Sequence, residues 1–206
     1  MKLNKMAALF IAAFLTASIA TGCDKKSSGN DDPDLPMEDI IPTRNNEPTE
    51  PIGSTVLNGE IGKEISANDS DFTLKSVLVP EVDDEKAKFI FLDIELRNNT
   101  DSAYTISTLN NFYLQFTDGT KIYSDALSQL NAEEIFKKGS YYVDPFDIPS
   151  NGQFSGIIGG FTVSKDVDEF KLCYFPTGSN PNDKGTVIEY QINSADLSVP
   201  ETNILK

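Results

Sequence analysis

From about residue 70 to residue 192, short runs of apolar and polar residues are closed at brief intervals by Asn, Asp, Gly, Ser or Pro. The clearest run is 88–97, KFIFLDIELR. In an extended chain Ile90, Leu92, Ile94 and Leu96 fall on one side, and Asp93, Glu95 and Arg97 on the other. A period of two marks a strand with one face in a core. The second side begins with Phe89 and Phe91, which predicts that this end of the strand is covered on both faces. The same reading predicts strands at 72–79, 104–107, 112–116, 121–123, 154–163, 170–175 and 187–192. Asp118-Gly119, between two of them, is a hairpin signal. Residues 125–138 depart from this period: Leu127, Leu130, Ala132, Glu133, Glu134 and Ile135 predict a short helix crossing between sheets. Seven or eight short strands without repeated β–α alternation point to an all-β, antiparallel β-sandwich.

Ahead of residue 54 the texture is different. Residues 24–53 hold five prolines and no aromatic residue, and between Asp24 and Ile52 eight acids face three bases. Such a segment has little to bury and repels itself, so residues 23–53 are predicted to be a disordered acidic linker before a domain at 54–206. Its one apolar spot is 37–41, MEDII, a candidate contact motif. Further upstream, Lys2 and Lys5 precede an uncharged, mostly apolar run at 6–20, and then small residues. That is the layout of an export signal, here 1–22. A spanning helix needs about 20 apolar residues, so a retained anchor helix is the weaker alternative. Ile19-Ala-Thr-Gly-Cys23 resembles the lipobox of bacterial lipoproteins, although Ala20 stands where Leu is commonest. The resemblance implies cleavage between Gly22 and Cys23 and acylation of Cys23; ordinary cleavage would leave a bare exposed thiol instead. Two acyl chains hold a protein stably where one binds only marginally, so the expected location is the cell membrane, lipid-anchored, on its extracytoplasmic face. Asp24 resembles the inner-membrane retention signal of double-membrane bacteria.

The 206 residues carry 32 acids against 17 bases, a formal charge of −15. Removal of 1–22 takes two lysines and leaves −17. Phosphate backbones and anionic headgroups repel such a chain, so no nucleic-acid partner is expected and membrane contact falls to the lipid. There is no histidine, which removes His-activated nucleophiles and His zinc sites. Cys173, the other cysteine, lies in an alternating apolar segment and reads as a buried hydrophobe. Gly156, Gly159 and Gly160 fall inside a predicted strand and suggest a bulge or close packing rather than a phosphate loop. No cofactor is expected. Asp69, Asp71, Asp83 and Asp84 are weak calcium candidates in oxygen-rich loops, set against ordinary turn chemistry. In 179–185, Lys184 stands where a third oxygen ligand belongs. Tyr141, Tyr142 and Phe146, in KGSYYVDPFD, are a candidate contact surface, with packing between the sheets as the alternative. On the contact reading, replacing both tyrosines by Ala leaves folding intact.

LDIELRNNTDSAYTISTLNNFYLQFTDGTKIYSD resembles one half of the extracellular, immunoglobulin-like domain of unknown function found on many Gram-positive lipoproteins, related to telokin-like immunoprotective extracellular proteins. The matching features are a hydrophobic strand ending in Arg97-Asn98-Asn99, then Ile106-Ser107, Phe112 and Leu114, and Asp118-Gly119 with Tyr123 four residues on. IPSNGQFSGIIGGFTVSKDVDEFKLCYF resembles the second half, with Ser150-Asn151-Gly152 where Pro-Gly is usual. The likeness covers about 55–192, implies an immunoglobulin-like sandwich on the outside of the cell, and carries no functional residue with it. The expected function is a membrane-tethered, non-enzymatic binding module with a protein or cell-envelope partner. The alternatives are a carboxylate-dependent hydrolase of cell-envelope polymer and an accessory subunit of an envelope complex.

Overall fold

The structure, a computed structural model, describes residues 52–82 and 85–200. The signal at 1–22, Gly22, Cys23, nearly all of the linker, and the calcium candidates Asp83 and Asp84 lie outside the described residues. In chain order the elements begin with β1 (Thr55–Asn58), β2 (Ile65–Ala67), β3 (Ser70–Leu78), β4 (Ala87–Asn98) and β5 (Tyr104–Ile106). A short α1 (Thr108–Asn111) leads into β6 (Phe112–Gln115) and β7 (Lys121–Tyr123). Then come α2 (Ala126–Ile135), β8 (Phe146–Ile148), β9 (Gln153–Ser164), β10 (Phe170–Tyr174), β11 (Thr186–Ile192) and β12 (Leu197–Ser198).

They form two sheets. One runs β1-β11-β10-β6-β7, and the other runs β12-β3-β4-β9 with β2 paired onto β3; β5 and β8 make a separate ribbon. Strands β3, β4 and β9 occupy the A, B and E places of an immunoglobulin sandwich, and β6, β10 and β11 the C, F and G places. The predicted all-β sandwich is therefore the observed one. The alternation in β4 explains the core. Ile90, Leu92, Ile94 and Leu96 face inward with Phe72 and Leu74, and meet Phe112, Leu114, Leu172, Tyr174 and Tyr190 of the opposite sheet. Phe72, Tyr174 and Phe112 bridge the layers, with ring centroids 4.3 and 4.5 Å apart. Each such side chain contributes about 1.5–3 kcal/mol on burial.

The Asp118-Gly119 hairpin is present: Gly119 takes φ +86° and Phe116 N–H donates to Thr120 O. Strands β1, β2, β8 and β12 and helix α1 were absent from the sequence reading. All five are four residues or shorter, too short to show a period, and β1 and β12 are held by parallel pairing to distant strands. The predicted helix forms, in the connection that carries the chain from β7 of one sheet to β9 of the other. It lies on the outer face of the β4–β9 pair, where Ala132, Ile135 and Phe136 join Leu78, Phe89 and Phe91 in a second cluster. This is the double coverage that Phe89 and Phe91 predict. Asp125 positions the helix: its carboxylate accepts from Ser128 N at its own first turn (2.9 Å) and from Thr162 N on β9 (2.9 Å). Among the described residues no helix is long and apolar enough to cross a membrane.

Candidate functional site

Tyr141, Tyr142 and Phe146 part company in the structure. Beyond α2 the chain turns at Gly139 and lays 140–142 along the outer edge of β9: Ile157 N–H donates to Ser140 O and Tyr142 N–H to Ile157 O, both at 2.9 Å. The Tyr141 ring enters the second cluster, edge-on to Phe91 and parallel to Phe136, and its hydroxyl donates to Gly159 O at 2.5 Å. Burial drives its phenol well above the ordinary tyrosine range. Phe146 is 8% exposed and stacks on Phe154 at 4.3 Å. Tyr142 keeps the most surface, 39% of it, with its ring edge-on to Phe154, while Tyr141 is half-buried. The three residues therefore do not form one surface: Phe146 is a packing residue, and Tyr141 packs its ring on the second cluster while part of it stays accessible beside Glu133 and Val143.

The glycines of β9 are the reason. A Cβ at Gly156 would come within 2.3 Å of the Tyr142 ring, and one at Gly160 within 2.6 Å of Ser128 Cβ and 2.7 Å of Phe91. Without side chains, those positions let the loop and the helix come down on the strand. Gly159, at φ +101°, sits where the β4–β9 register shifts, so both the bulge and the close packing predicted from these glycines occur. Asp144 pins the far side of the loop, accepting from Ser107 Oγ (2.8 Å) and Thr108 N (2.5 Å).

Asn68 and Asp69 both have positive φ, 47° and 58°, and are the two central residues of the β2–β3 hairpin turn. Asp71 accepts from Ser66 Oγ (2.6 Å) and Asn99 Nδ2 (2.9 Å), and those two bonds hold its carboxyl below the usual range. Asp183 accepts from Asn68 Nδ2 and Gly185 N. Among the described residues no three Asp, Glu, His or Cys side chains gather in a metal-holding group. Turn chemistry accounts for Asp69 and Asp71. Asn98, which helped carry the family likeness, is fully buried and binds Ser102 O and Pro149 O, tying two loops together.

The surface that sequence reading missed is the outer face of β1-β11-β10-β6-β7. Strand register sets Val56 beside Val187, and Cys173 beside Tyr113, which in turn lies beside Tyr123. Tyr113, Cys173, Phe175 and Val187 form a cluster separate from the main core, flanked by Val56 and Tyr123 at 49% and 51% exposure. Cys173 is buried here, on the outer side of its strand, and burial raises its thiol pKa. Lys121 Nζ lies 4.4 Å from the Tyr113 ring centroid, and Lys184 Nζ lies 5.4 Å from that of Phe175. Neither ammonium has a carboxylate within salt-bridge distance among the described residues, whereas Lys171 pairs with Glu189 at 2.8 Å. That glutamate is the one acid among the outward-facing strand residues, so the face is locally cationic on a strongly anionic chain. Open grooves of about 500 Å³ beside Asn110, Asn182 and Lys184, and about 200 Å³ beside Gln115 and Lys171, border it at opposite strand ends. Apart from α1, which runs straight into β6, no helix among the described residues packs on this sheet. An apolar, aromatic floor with two cations above it suits a partner that brings both carboxylates and apolar side chains.

Among solved structures the chain is similar to a candidate lipoprotein of Bacillus subtilis (ycdA), at 18% identity over 66% of this chain and TM-score 0.45; it spans 40% of that protein's length. It is also similar to an uncharacterised β-sandwich protein of Clostridium difficile 630, at 12% identity over 70% of this chain and 99% of the other, TM-score 0.40. A third likeness is to the secreted protein MPT63 of Mycobacterium tuberculosis, at 12% identity over 65% and 96% of the two chains, TM-score 0.42. No curated protein matches the chain. The model of one family matches residues 59–184, more than half of the 206 residues and every strand from β2 to β10, and by that match the chain belongs to the family of the domain of unknown function DUF4352.

Proposed function

We propose that this chain is a lipoprotein, anchored through Cys23 on the extracytoplasmic side of a membrane, whose sandwich is a non-catalytic binding module and whose binding surface is the outer face of β1-β11-β10-β6-β7. One observation carries the reading: Lys121 and Lys184 stand over aromatic rings without carboxylate partners among the described residues, in a chain of formal charge −15. Lys184 Nζ also donates to Asn110 O at 2.9 Å, which leaves its remaining N–H groups, like those of Lys121, to meet an incoming acid. The carboxylates support the non-catalytic part. Those with a resolved shift, Asp71, Asp118 and Asp166, are all held below the ordinary range, chiefly by hydrogen bonds from turn residues. A general acid needs the opposite shift.

The test is crosslinking capture by the tethered protein in its own cells. Changing Lys121→Glu and Lys184→Glu together abolishes capture on this reading, whereas Tyr142→Ala leaves it unchanged. Capture lost with Tyr142→Ala and kept with the lysine pair would move the site back to the loop after α2. For the anchor, Cys23→Ala is expected to lose incorporation of a palmitate analogue; retained label would overturn it.

A further inference from the structure

We propose that a row of side chains on the outer face of β1-β11-β10-β6-β7, Gln191, Lys171, Gln115 and Lys121, is a binding strip for a polysaccharide with a carboxylate on every second sugar. The strip is distinct from the partner surface over the rings, with which it shares Lys121 alone. Strand register makes the row. Lys171 of β10 pairs with Gln191 of β11 on one side and with Gln115 of β6 on the other, and Gln115 pairs with Lys121 of β7. Paired residues point to the same side of a sheet. Their sequence neighbours Leu114, Phe170, Leu172, Tyr190 and Ile192 belong to the core, so the row projects outward. Amide and ammonium thus alternate across β11, β10, β6 and β7. Gln115, Lys171 and Gln191 also line an open groove of about 200 Å³, with Phe116 and Phe170 beside them, which is room for a single sugar ring.

The groups and their spacing choose the ligand. A glutamine amide both donates and accepts, as a sugar hydroxyl does, whereas an ammonium only donates and suits a carboxylate. Neighbouring strands lie about 4.7–4.9 Å apart, so the two lysines of the row, two strands apart, are spaced by about 9.6 Å. A 1,4-linked sugar chain laid across the strands advances by about one strand spacing per ring and stays in step with the row. Acids on alternate rings then meet Lys171 and Lys121, and the rings between them meet the amides. An extended peptide presents side chains to one side every roughly 6.6–6.8 Å and is out of step by its second contact. Charge density is limited by Glu189, which sits in the next row beside Cys173 and takes one N–H of Lys171 at 2.8 Å. A chain with an acid on every ring would set carboxylates against Glu189 and the amides; a neutral one would leave the ammoniums without a partner. In the same next row Tyr123, half-exposed, offers a ring face to the C–H side of a sugar.

The experiment titrates the full chain, in detergent micelles at physiological salt, with three probes: a 1,4-linked hexasaccharide of alternating glucuronic acid and N-acetylglucosamine, the hexamer of N-acetylglucosamine, and hexaglutamate. The alternating hexasaccharide is expected to bind, and the other two at least about tenfold more weakly. Gln115→Ala with Gln191→Ala is expected to weaken the hexasaccharide roughly tenfold, and Gln191→Ala alone, at an exposed position, roughly threefold. Melting curves of both variants separate loss of ligand from loss of fold. Lys184→Glu is expected to leave the affinity unchanged, because Lys184 lies over Phe175, about 13 Å along the strand direction from Lys171 and beyond a Debye length of about 8 Å. Absence of hexasaccharide binding, equal affinity for either other probe, or affinity indifferent to the glutamine variants overturns the proposal. If it is overturned while Lys121→Glu with Lys184→Glu still abolishes capture in cells, the partner surface stands alone. If the hexasaccharide binds through the row while capture ignores that lysine pair, the strip stands and the partner surface falls.

Discussion

The two outer faces of this sandwich treat a similar problem in opposite ways. On the β3–β4–β9 side, Phe89 and Phe91 project outward and the chain covers them itself, with α2 and the Tyr141 ring lowered onto a strand that has no side chain at Gly156 or Gly160. On the β1-β11-β10-β6-β7 side, Tyr113, Phe175 and Val187 also project outward with Cys173, flanked by the lysines Lys121 and Lys184 and the edge residues Val56 and Tyr123, and no helix comparable to α2 is laid over them among the described residues. The first face is finished as structure. The second keeps its cations and rings available. Aromatic residues outside the main core therefore do not identify a site by themselves; what distinguishes these two groups is whether the described residues supply a fitted cover.

Substitutions can break that contrast at graded cost. Phe136→Ala on the covered side empties a packed position and should lower stability by about 3–5 kcal/mol, which for a chain of this size is a fall in Tm of at least about 6 °C; a smaller fall would mean that the helix is only loosely seated. Gly160→Ala should cost about 1–3 kcal/mol by overpacking, because the new methyl meets Ser128 Cβ and Phe91, which cannot move aside. Gly156→Ala meets the outer part of the Tyr142 ring, which can swing into solvent, so chemical denaturation should place it below about 1 kcal/mol. Equal effects would show that both sites are equally rigid.

On the open side, Lys121→Glu and Lys184→Glu should each change stability by no more than about 1 kcal/mol, the range of an exposed cation–π contact. A larger loss, read from the same denaturation curves, would make these lysines structural. The smallest expected effect is acidic. Asp71 sits below the usual carboxylate range because Ser66 and Asn99 donate to its ionised form. It thus adds stability above the unfolded carboxylate value of about 3.9, and loses it as pH falls through that value toward the lower folded one. Asp71→Asn should flatten the decline in Tm between pH 5 and 3 slightly, since solvent screens the group; an unchanged slope would remove Asp71 from the acid response.

Much of the fold is written in local period. In β4, Ile90 through Leu96 name their own side, and Phe89 and Phe91 announce a second cover. Asp118-Gly119 names its turn. Strand β1 is different: TVLN has no period of its own and becomes a strand only because Thr186 through Glu189 lie parallel beside it. The paired tyrosines are ambiguous for a related reason. Tyr141 and Tyr142 lie in an irregular loop, and the side each takes is set by glycines 14 to 18 residues further on. The open face is the least legible part. Val56, Tyr113, Tyr123, Phe175 and Val187 come from different parts of the chain, and only the sheet order makes them one surface.

The outer edge of β9 has a further meaning. Ser140 and Tyr142 bond Ile157, Asp125 N–H donates to Gly160 O, and the Asp125 carboxylate takes Thr162 N–H, so the middle of this twelve-residue strand offers few free backbone groups to another chain. An unguarded strand of that length is a template for edge-to-edge pairing. Copies brought close together would otherwise zip into stacked ribbons through it. With that edge closed by its own loop and helix cap, neighbouring copies can be packed densely and still remain separate molecules.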